Sequence, residues 1–170
     1  SVSAIRTGLE TAHVSGRMEK VVKDGKIAIV DYAHNKLSFE TLFKAMKKEF
    51  PDRKLYVVFG CPGGKAYDRR REMGDLAGEY CDRVYLTEDD AGEEEILDIC
   101  QEIEKYVRMH DCVEEIVLDR TEAIRKAVAD MDDKTVLIIA GKGHETDQKR
   151  GTKYVPMKSD YDTVKEILGV

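Results

Sequence analysis

The sequence lacks several patterns that mark whole classes of protein. Its four cysteines are widely spaced and include no C-x-x-C pair, so neither a zinc cage nor a disulfide framework is indicated. No apolar stretch approaches the roughly 18 residues that a membrane-spanning helix needs. The first residues show neither a basic leader nor an apolar signal core, and a cytoplasmic location without membrane attachment is therefore expected.

An excess of basic charge is also absent. Lysine and arginine number 28 against 34 aspartates and glutamates, which leaves a net charge of −6. Because nonspecific nucleic-acid binding needs a basic face to neutralise phosphates, no nucleic-acid partner is expected, and any nucleotide bound here should be small and free. The chain has 170 residues and no internal repeat, which is the size of one globular domain with a tail.

Short β-branched runs alternate with longer amphipathic segments from residue 27 onward. The runs predict strands at residues 27–31, 54–60, 83–87, 114–119 and 134–140. Between them, apolar residues recur at helical spacing, as in segment 39–46, for which Ser38 is the predicted N-cap. This alternation predicts an α/β fold with a doubly wound, mainly parallel sheet of about six strands and helices on both faces.

The two ends of the chain depart from this alternation. Residues 153–157 predict an edge strand of opposite sense, followed by a last helix that Ser159 caps. Residues 1–25 do not share the rhythm, although the apolar spacing from Ile5 to Ala12 predicts a short helix there.

Two polar strings directly follow apolar strands. Residues 31–35 (DYAHN) leave the first predicted strand, and residues 141–145 (GKGHE) leave the last. Because parallel strands present their carboxyl ends at one edge, Asp31 and Gly141 are expected on the same rim. An aspartate there can accept hydrogen bonds from a ribose, and a histidine can meet phosphate or adenine. Taken alone, however, such a short string more often caps a turn.

A glycine-rich loop and a basic helix start lie between these strings. Residues 60–65 (GCPGGK) resemble a phosphate-cradling loop, but Lys65 is followed by Ala66, so the loop is not a Walker A sequence. Cys61 is the thiol in this loop that could reach solvent, and no catalytic role is expected for it. Residues 69–71 place three arginines at a helix N-terminus, which indicates an anionic partner nearby.

The strings together resemble a known family. They are, in order, GRME at residues 16–19, DYAH at 31–34, GCPGGK at 60–65 and GKGHE at 141–145. Their sequence and spacing are similar to the C-terminal domain of Mur ligases, closest to the enzymes that add the third residue of the peptidoglycan stem peptide. The resemblance covers nearly the whole chain and implies a Rossmann-like domain at residues 26–170. It also implies that residues 1–25 are the junction from a central domain.

The resemblance implies an ATP-dependent ligase that joins a free amino acid to UDP-N-acetylmuramoyl-L-alanyl-D-glutamate, the UDP-MurNAc-dipeptide. In that family ATP phosphorylates the substrate carboxylate, the incoming amine attacks the acyl phosphate, and Mg²⁺ stabilises the transferring phosphoryl group. The phosphate loop and the magnesium ligands belong to the central domain, and UDP is bound by the N-terminal domain. This chain is therefore expected to carry no catalytic residue and no metal ligand, and to be inactive alone.

The family's site residues carry over to specific positions. The nucleotide site receives Asp31, His34 and Arg70, and the amino-acid site receives Lys65, Asp89, Asp90, Gly141 and Glu145. Lys65 and Gly92 both stand where the diaminopimelate-adding relatives have an arginine. The arginine that Gly92 replaces is the one that selects the distal carboxylate of diaminopimelate. Since Asp89 and Asp90 offer negative charge instead, L-lysine or another diamino acid such as ornithine is the expected substrate.

Other functions stay open. A folylpolyglutamate synthetase or another Mur ligase would share most of these strings. A receiver-like signalling module would explain Asp89, Asp90 and Lys142 after strands, but a receiver has paired acids where Asp31 stands alone. A stand-alone nucleotide-binding or scaffold domain would not need the junction-like residues 1–25.

Overall fold

The computed structural model describes residues 1–10 and 14–170, and strands and helices alternate along them. In chain order the elements are α1 (Val2–Glu10), β1 (Glu19–Lys23), β2 (Lys26–Asp31), α2 (Lys36–Glu49), β3 (Lys54–Phe59), α3 (Asp68–Tyr80), β4 (Arg83–Leu86), α4 (Ile96–Val107), β5 (Val113–Ile116), α5 (Arg120–Asp130), β6 (Thr135–Ala140), β7 (Asp147–Arg150), β8 (Lys153–Pro156) and α6 (Asp160–Leu168). None of these helices has the length and apolar character needed to cross a membrane.

Six of the strands form one sheet in the order β1-β2-β6-β3-β4-β5. Strands β2 to β6 run parallel, and β1 is antiparallel to β2. The chain passes from β2 to β3 and leaves between them the space that β6 later fills, so the loops after these three strands lie side by side. The predicted fold class is confirmed. All five predicted strands are present, although β5 ends at Ile116 rather than near residue 119.

Apolar cores on both faces of the sheet hold the helices in place. Alternate residues of β2 contribute to one core or the other, as the pleat of a strand requires. On one face, Phe43 of α2 and Ile103 of α4 are fully buried. On the other face, Ile124 of α5 and Val164 of α6 are buried in the same way. Central strand β6 is therefore buried along its whole length.

The antiparallel edge strand of the sheet comes from the N-terminal part of the chain, whereas the prediction placed it near the C-terminus. The prediction for residues 153–157 is wrong, because Lys153–Pro156 pairs with β7 in a separate two-stranded hairpin. Its side chains are all exposed, so it offers the sheet no apolar face. The edge strand is Glu19–Lys23. Asp24 and Gly25 join it to β2 with φ values of 49° and 81°, as a tight two-residue hairpin turn requires.

Side chains cap the N-termini of α2, α5 and α6, and one predicted cap is corrected. Asn35, rather than Ser38, is the N-cap of α2. The Asn35 side chain accepts a hydrogen bond from the Ser38 N–H at 3.1 Å, and the Ser38 hydroxyl accepts one from the Asn35 N–H at 3.2 Å. The two residues thus form a reciprocal capping box. Ser159 caps α6 as predicted. Helix α1 confirms the predicted helix as far as Glu10, and Ala12 lies outside the described residues.

All four cysteines are free thiols. The expectation that Cys61 could reach solvent is wrong: its exposed fraction is 1%, because the loop after β3 turns its side chain into the core. Burial raises the pKa of the Cys61 thiol well above its ordinary value. Cys61 therefore packs as a small apolar side chain.

Candidate functional site

A cleft of about 240 Å³ opens where the carboxyl ends of β2, β6, β3 and β4 meet. Its walls are formed by Tyr32, His34, Gly60, Pro62, Lys65, Arg69, Asp89, Asp90, Gly141 and Glu145. All five predicted amino-acid residues and His34 are among them. Asp31 and Arg70 are not, and each is described below. Tyr32 and Arg69 were not assigned to a site by the sequence analysis, although they belong to two runs that it singled out, residues 31–35 and residues 69–71.

The shared rim predicted for Asp31 and Gly141 is confirmed. The Gly141 N–H donates a hydrogen bond to the Asp31 carbonyl oxygen at 3.3 Å, and β2 and β6 pair in parallel up to this point. Gly141 has φ of +108°, and a Cβ there would lie 2.5 Å from Oδ2 of Asp89. The positive φ favours glycine at this position, and a Cβ there would also displace the Asp89 carboxylate.

Asp31 holds backbone at the edge of the cleft. Its Oδ1 accepts a hydrogen bond from the Ala33 N–H at 2.8 Å, and its Oδ2 accepts one from the Met18 N–H at 3.0 Å. The carboxylate thus caps its own turn and ties residues 16–19 to the end of β2. The predicted contact of Asp31 with a nucleotide stays a prediction.

The turn at residues 16–19 is part of the same rim. Gly16 has φ of +70°, and a Cβ on it would lie 2.3 Å from the backbone nitrogen of His144. The Glu19 carboxylate accepts a hydrogen bond from the Gly16 N–H at 2.7 Å. The Arg17 guanidinium lies 4.6 Å from the centre of the Tyr32 ring. The turn and residues 141–145 therefore form one packed unit.

Lys142 connects two of the predicted carboxylates from beneath the cleft. Its side chain is 1% exposed, and its Nζ lies 2.9 Å from Oδ1 of Asp90 and 2.6 Å from Oε2 of Glu145. The Tyr32 hydroxyl donates a hydrogen bond to Oε1 of Glu145 at 2.8 Å, and this bond is the main cause of a raised Tyr32 pKa. Burial alone would raise the pKa of Asp90, but hydrogen bonds from the Lys149 N–H and Lys142 lower it.

Asp89 differs from these two carboxylates. Within the described residues its carboxylate accepts no hydrogen bond, and it lies at the floor of the cleft, enclosed by protein yet still partly in contact with solvent. Burial raises the pKa of Asp89 to about 7, against the lowering effect of Arg120 and Lys142. The expected pair of free acids is therefore reduced to one, because Asp90 is already paired with Lys142.

Two cations line the same cleft as Asp89. Within the described part of the chain, neither Lys65 nor Arg69 forms an ion pair, and both side chains border the open volume. Lys65 also borders a neighbouring cleft of about 320 Å³, which reaches Gly92 and Lys149. Within the described residues, the cleft therefore presents an unpaired carboxyl group and two unpaired cations, groups that can bind the ammonium and the carboxylate of an amino acid.

Arg70 does not face the cleft. Its side chain is almost completely buried, with Nη2 2.7 Å from Oε2 of Glu94 and Nη1 2.6 Å from Oε2 of Glu102. Nη2 also donates a hydrogen bond to the Pro62 carbonyl oxygen at 3.3 Å, and Nε has no partner among the described residues. The guanidinium thus lies in a protein-only ion-pair cluster. Its predicted contact with a nucleotide stays a prediction.

No three histidine, cysteine, aspartate or glutamate side chains come together as a metal site in the part of the chain that the structure describes. Asp90 and Glu145 share the ammonium of Lys142, and Asp89 stands apart from them. Two of the three acidic residues of the cleft are therefore held by a buried cation.

Comparison with known proteins agrees with this architecture. The sequence model of the family described as "Mur ligase, glutamate ligase domain" matches residues 16–143. The chain belongs to this family. It is 37% identical, over 96% of its length, to a UDP-N-acetylmuramyl-tripeptide synthetase of Ligilactobacillus salivarius, of which it covers 32%. It is 39% identical, over 92% of its length, to a UDP-N-acetylmuramoyl-L-alanyl-D-glutamate--2,6-diaminopimelate ligase of Wolinella succinogenes, of which it covers 34%. The chain thus spans about a third of these relatives.

Solved structures share the fold. A UDP-N-acetylmuramoyl-L-alanyl-D-glutamate--2,6-diaminopimelate ligase matches 99% of this chain with a TM-score of 0.85 and 24% identity, and the match covers 36% of that ligase. E. coli FolC in complex with ADP matches 83% of this chain with a TM-score of 0.66 and 20% identity, over 32% of FolC. The Mur ligase domain therefore shares its fold with a domain of the folylpolyglutamate enzymes.

Proposed function

We propose that this chain is the C-terminal domain of an ATP-dependent ligase that adds the third amino acid to UDP-N-acetylmuramoyl-L-alanyl-D-glutamate. The observation that carries the proposal is the cleft at the carboxyl ends of β2, β3, β4 and β6. It brings the family's motif residues together, and its lining includes one carboxyl, Asp89, and two cations, Lys65 and Arg69, that form no ion pair among the described residues. The relatives that match nearly the whole chain are named for this reaction.

The domain's proposed task is to bind and orient. Asp89 and Glu145 would receive ammonium groups of the amino acid, while Lys65 would hold a carboxylate. Asp31 and His34, on the rim of the same cleft, would contact ATP. The remaining partners would be the UDP-MurNAc-dipeptide and the central and N-terminal domains of a longer chain. Mg²⁺, which supplies charge stabilisation during phosphoryl transfer, would be held by those other domains.

We propose L-lysine, or a close homologue such as ornithine, as the amino acid. Asp89 is a carboxyl without a partner, and a charge-assisted hydrogen bond from a side-chain ammonium would contribute about 1.5–3 kcal/mol. Gly92 offers no group to pair with a distal carboxylate. A competition assay with lysine, ornithine and meso-diaminopimelate at equal concentration tests this choice. A higher kcat/KM for diaminopimelate would contradict it, with Lys65 then the first residue to examine.

The reaction itself is tested with the full-length ligase. Purified enzyme is incubated with the UDP-MurNAc-dipeptide, ATP, Mg²⁺ and the amino acid, and the UDP-MurNAc-tripeptide is detected by mass spectrometry. A parallel reaction with a folate and glutamate tests the folylpolyglutamate alternative. The 170-residue chain by itself should release no phosphate from ATP. Polyglutamylated folate without tripeptide would refute the proposed function.

The nucleotide role is tested separately with Asp31→Ala in the full-length ligase. We expect a higher KM for ATP, because the substitution removes a proposed ribose acceptor. An unchanged KM for ATP would leave Asp31 with only its backbone contacts to Met18 and Ala33. His34→Ala is the companion variant, since His34 lies on the rim without holding residues 16–19.

A further inference from the structure

Arg70 links two helices to the loop that precedes Lys65. It lies near the start of α3, and its guanidinium bridges Glu94, just before α4, and Glu102 within α4. The Tyr67 ring covers the guanidinium, with its centre 4.8 Å from the guanidinium carbon. A group enclosed in this way has both terminal nitrogens occupied by protein and no open side for a phosphate.

Glu94 connects Arg70 to the loop before Lys65. While its Oε2 pairs with Arg70, its Oε1 accepts a hydrogen bond from the Gly64 N–H at 2.5 Å, and this bond is the main cause of a lowered Glu94 pKa. The Pro62 carbonyl oxygen accepts a hydrogen bond from Arg70 itself. The Gly63 N–H donates one to the Asp90 carbonyl oxygen at 3.1 Å.

Three consecutive residues are therefore held by backbone hydrogen bonds immediately before Lys65. Ala66 has φ of +53°, which a residue with a side chain rarely adopts, whereas glycine readily accepts the φ of +69° found at Gly64. Such a conformation persists only where surrounding contacts determine it. Arg70 and Glu94 hold the residues just before Lys65, at Pro62 and Gly64, and Lys65 lines the cleft.

We infer that Arg70 is a positioning residue: through Glu94 it fixes the loop that places Lys65 at the cleft, and it does not contact the nucleotide. The inference rests on the proposed function only in assigning Lys65 to the amino acid. The link from Arg70 to Gly64 is independent of that function, and it is tested independently below.

The first test is kinetic and uses the full-length ligase. Arg70→Met should raise the KM for the amino acid about tenfold, the effect of losing one charge-assisted hydrogen bond, and leave the KM for ATP within twofold. Glu94→Gln should show the same pattern. Glu102→Gln is the matched control, because Glu102 pairs with the same guanidinium but does not touch the loop, and it should change neither KM by more than about twofold.

The second test does not depend on ligase activity. Hydrogen exchange of the Gly64 amide is measured in the full-length protein and its variants. Arg70→Met and Glu94→Gln should speed exchange about tenfold, and Glu102→Gln should not. If Arg70→Met fails to fold, the results for Glu94→Gln alone test the inference. A raised KM for ATP together with unchanged Gly64 exchange would overturn the inference and restore the nucleotide role. A ligase inactive on every amino acid, but with the exchange pattern intact, would refute only the proposed function.

Discussion

Lys142 and Arg120 are both almost completely buried, yet their carboxylate partners differ. Asp160, the partner of Arg120, is 0% exposed and accepts two hydrogen bonds of 2.8 Å from the guanidinium. The partners of Lys142 are Asp90 and Glu145, which remain 20% and 30% exposed at the cleft. The comparison distinguishes two roles of a buried cation. Arg120 forms an ion pair that is shielded from water, whereas Lys142 holds carboxylates that a ligand can still reach.

The position of Arg120 explains why its pair is sealed. Beyond Asp160, its guanidinium donates hydrogen bonds to the carbonyl oxygens of Ala140, at 2.8 Å, and Glu88, at 3.3 Å. These residues come directly before Gly141 and Asp89, so Arg120 supports the floor of the cleft from below. Its partners are a fully buried carboxylate and two backbone carbonyl oxygens, which suits a structural role.

The largest expected effect comes from breaking the sealed pair. Asp160→Asn removes the carboxylate that pairs directly with the buried Arg120 guanidinium, and the free energy of unfolding should fall by about 3–5 kcal/mol. Urea unfolding of the 170-residue chain measures the change. A loss below about 1 kcal/mol would mean that Arg120 finds another partner or water, and the contrast with Lys142 would then disappear.

Lys142→Met should lower stability less than Asp160→Asn does, and should weaken substrate binding more. Asp90 and Glu145 reach solvent, so water can replace the lost ammonium, and the free energy of unfolding should fall by about 1–2 kcal/mol. In the full-length ligase the kcat/KM for the amino acid should fall about 10- to 100-fold, since both carboxylates lose their position. If Lys142→Met lost as much stability as Asp160→Asn and left the kinetics unchanged, Lys142 would have a structural role like that of Arg120.

Asp89 should make stability depend on pH. Its pKa is raised to about 7 in the folded chain, while the unfolded chain has the ordinary value near 3.8. The folded state therefore holds a proton that the unfolded state releases. The stability from this proton is complete below about pH 4 and is lost as the pH rises towards 7, by at most about 1.4 kcal/mol per pH unit.

The measurement is urea unfolding of wild type and Asp89→Asn at pH 5 and pH 7. We expect the free energy of unfolding of the variant, relative to wild type, to be higher at pH 7 than at pH 5. Asp90, Asp160, Arg120 and Lys142 face the same carboxyl and are retained in both proteins. Parallel pH profiles for the two proteins would show that Asp89 ionises with an ordinary pKa.

The smallest expected effect is at an exposed pair. Glu122 and Arg125 form an ion pair on the outer surface of α5, one turn apart and both exposed. Glu122→Gln should cause no measurable change in the free energy of unfolding, because water screens the pair. A change comparable to that of Lys142→Met would show that exposure is not what distinguishes these ion pairs.

Local patterns explain what could be predicted of the fold and where prediction stopped. Apolar runs and helical spacing predicted five strands of the sheet, because burial on both faces leaves a continuous signal. Strand β1 was missed although its Asp24-Gly25 turn is a hairpin signal. Residues 153–157 were misassigned because a short β-prone segment does not reveal whether a sheet edge is free to pair with it.

The amino-acid pattern was enough to predict the rim, because a parallel sheet brings the residues after β2 and β6 to one edge. The three-dimensional fold was needed to show that β6 pairs with β2, so that Gly141 lies beside Asp31, and to show which charges remain free. Lys142 pairs with Asp90 across 52 positions of sequence, and Arg70 with Glu94 across 24. An ion pair depends on the distance between atoms in the folded chain, and no local periodicity encodes a contact between distant loops.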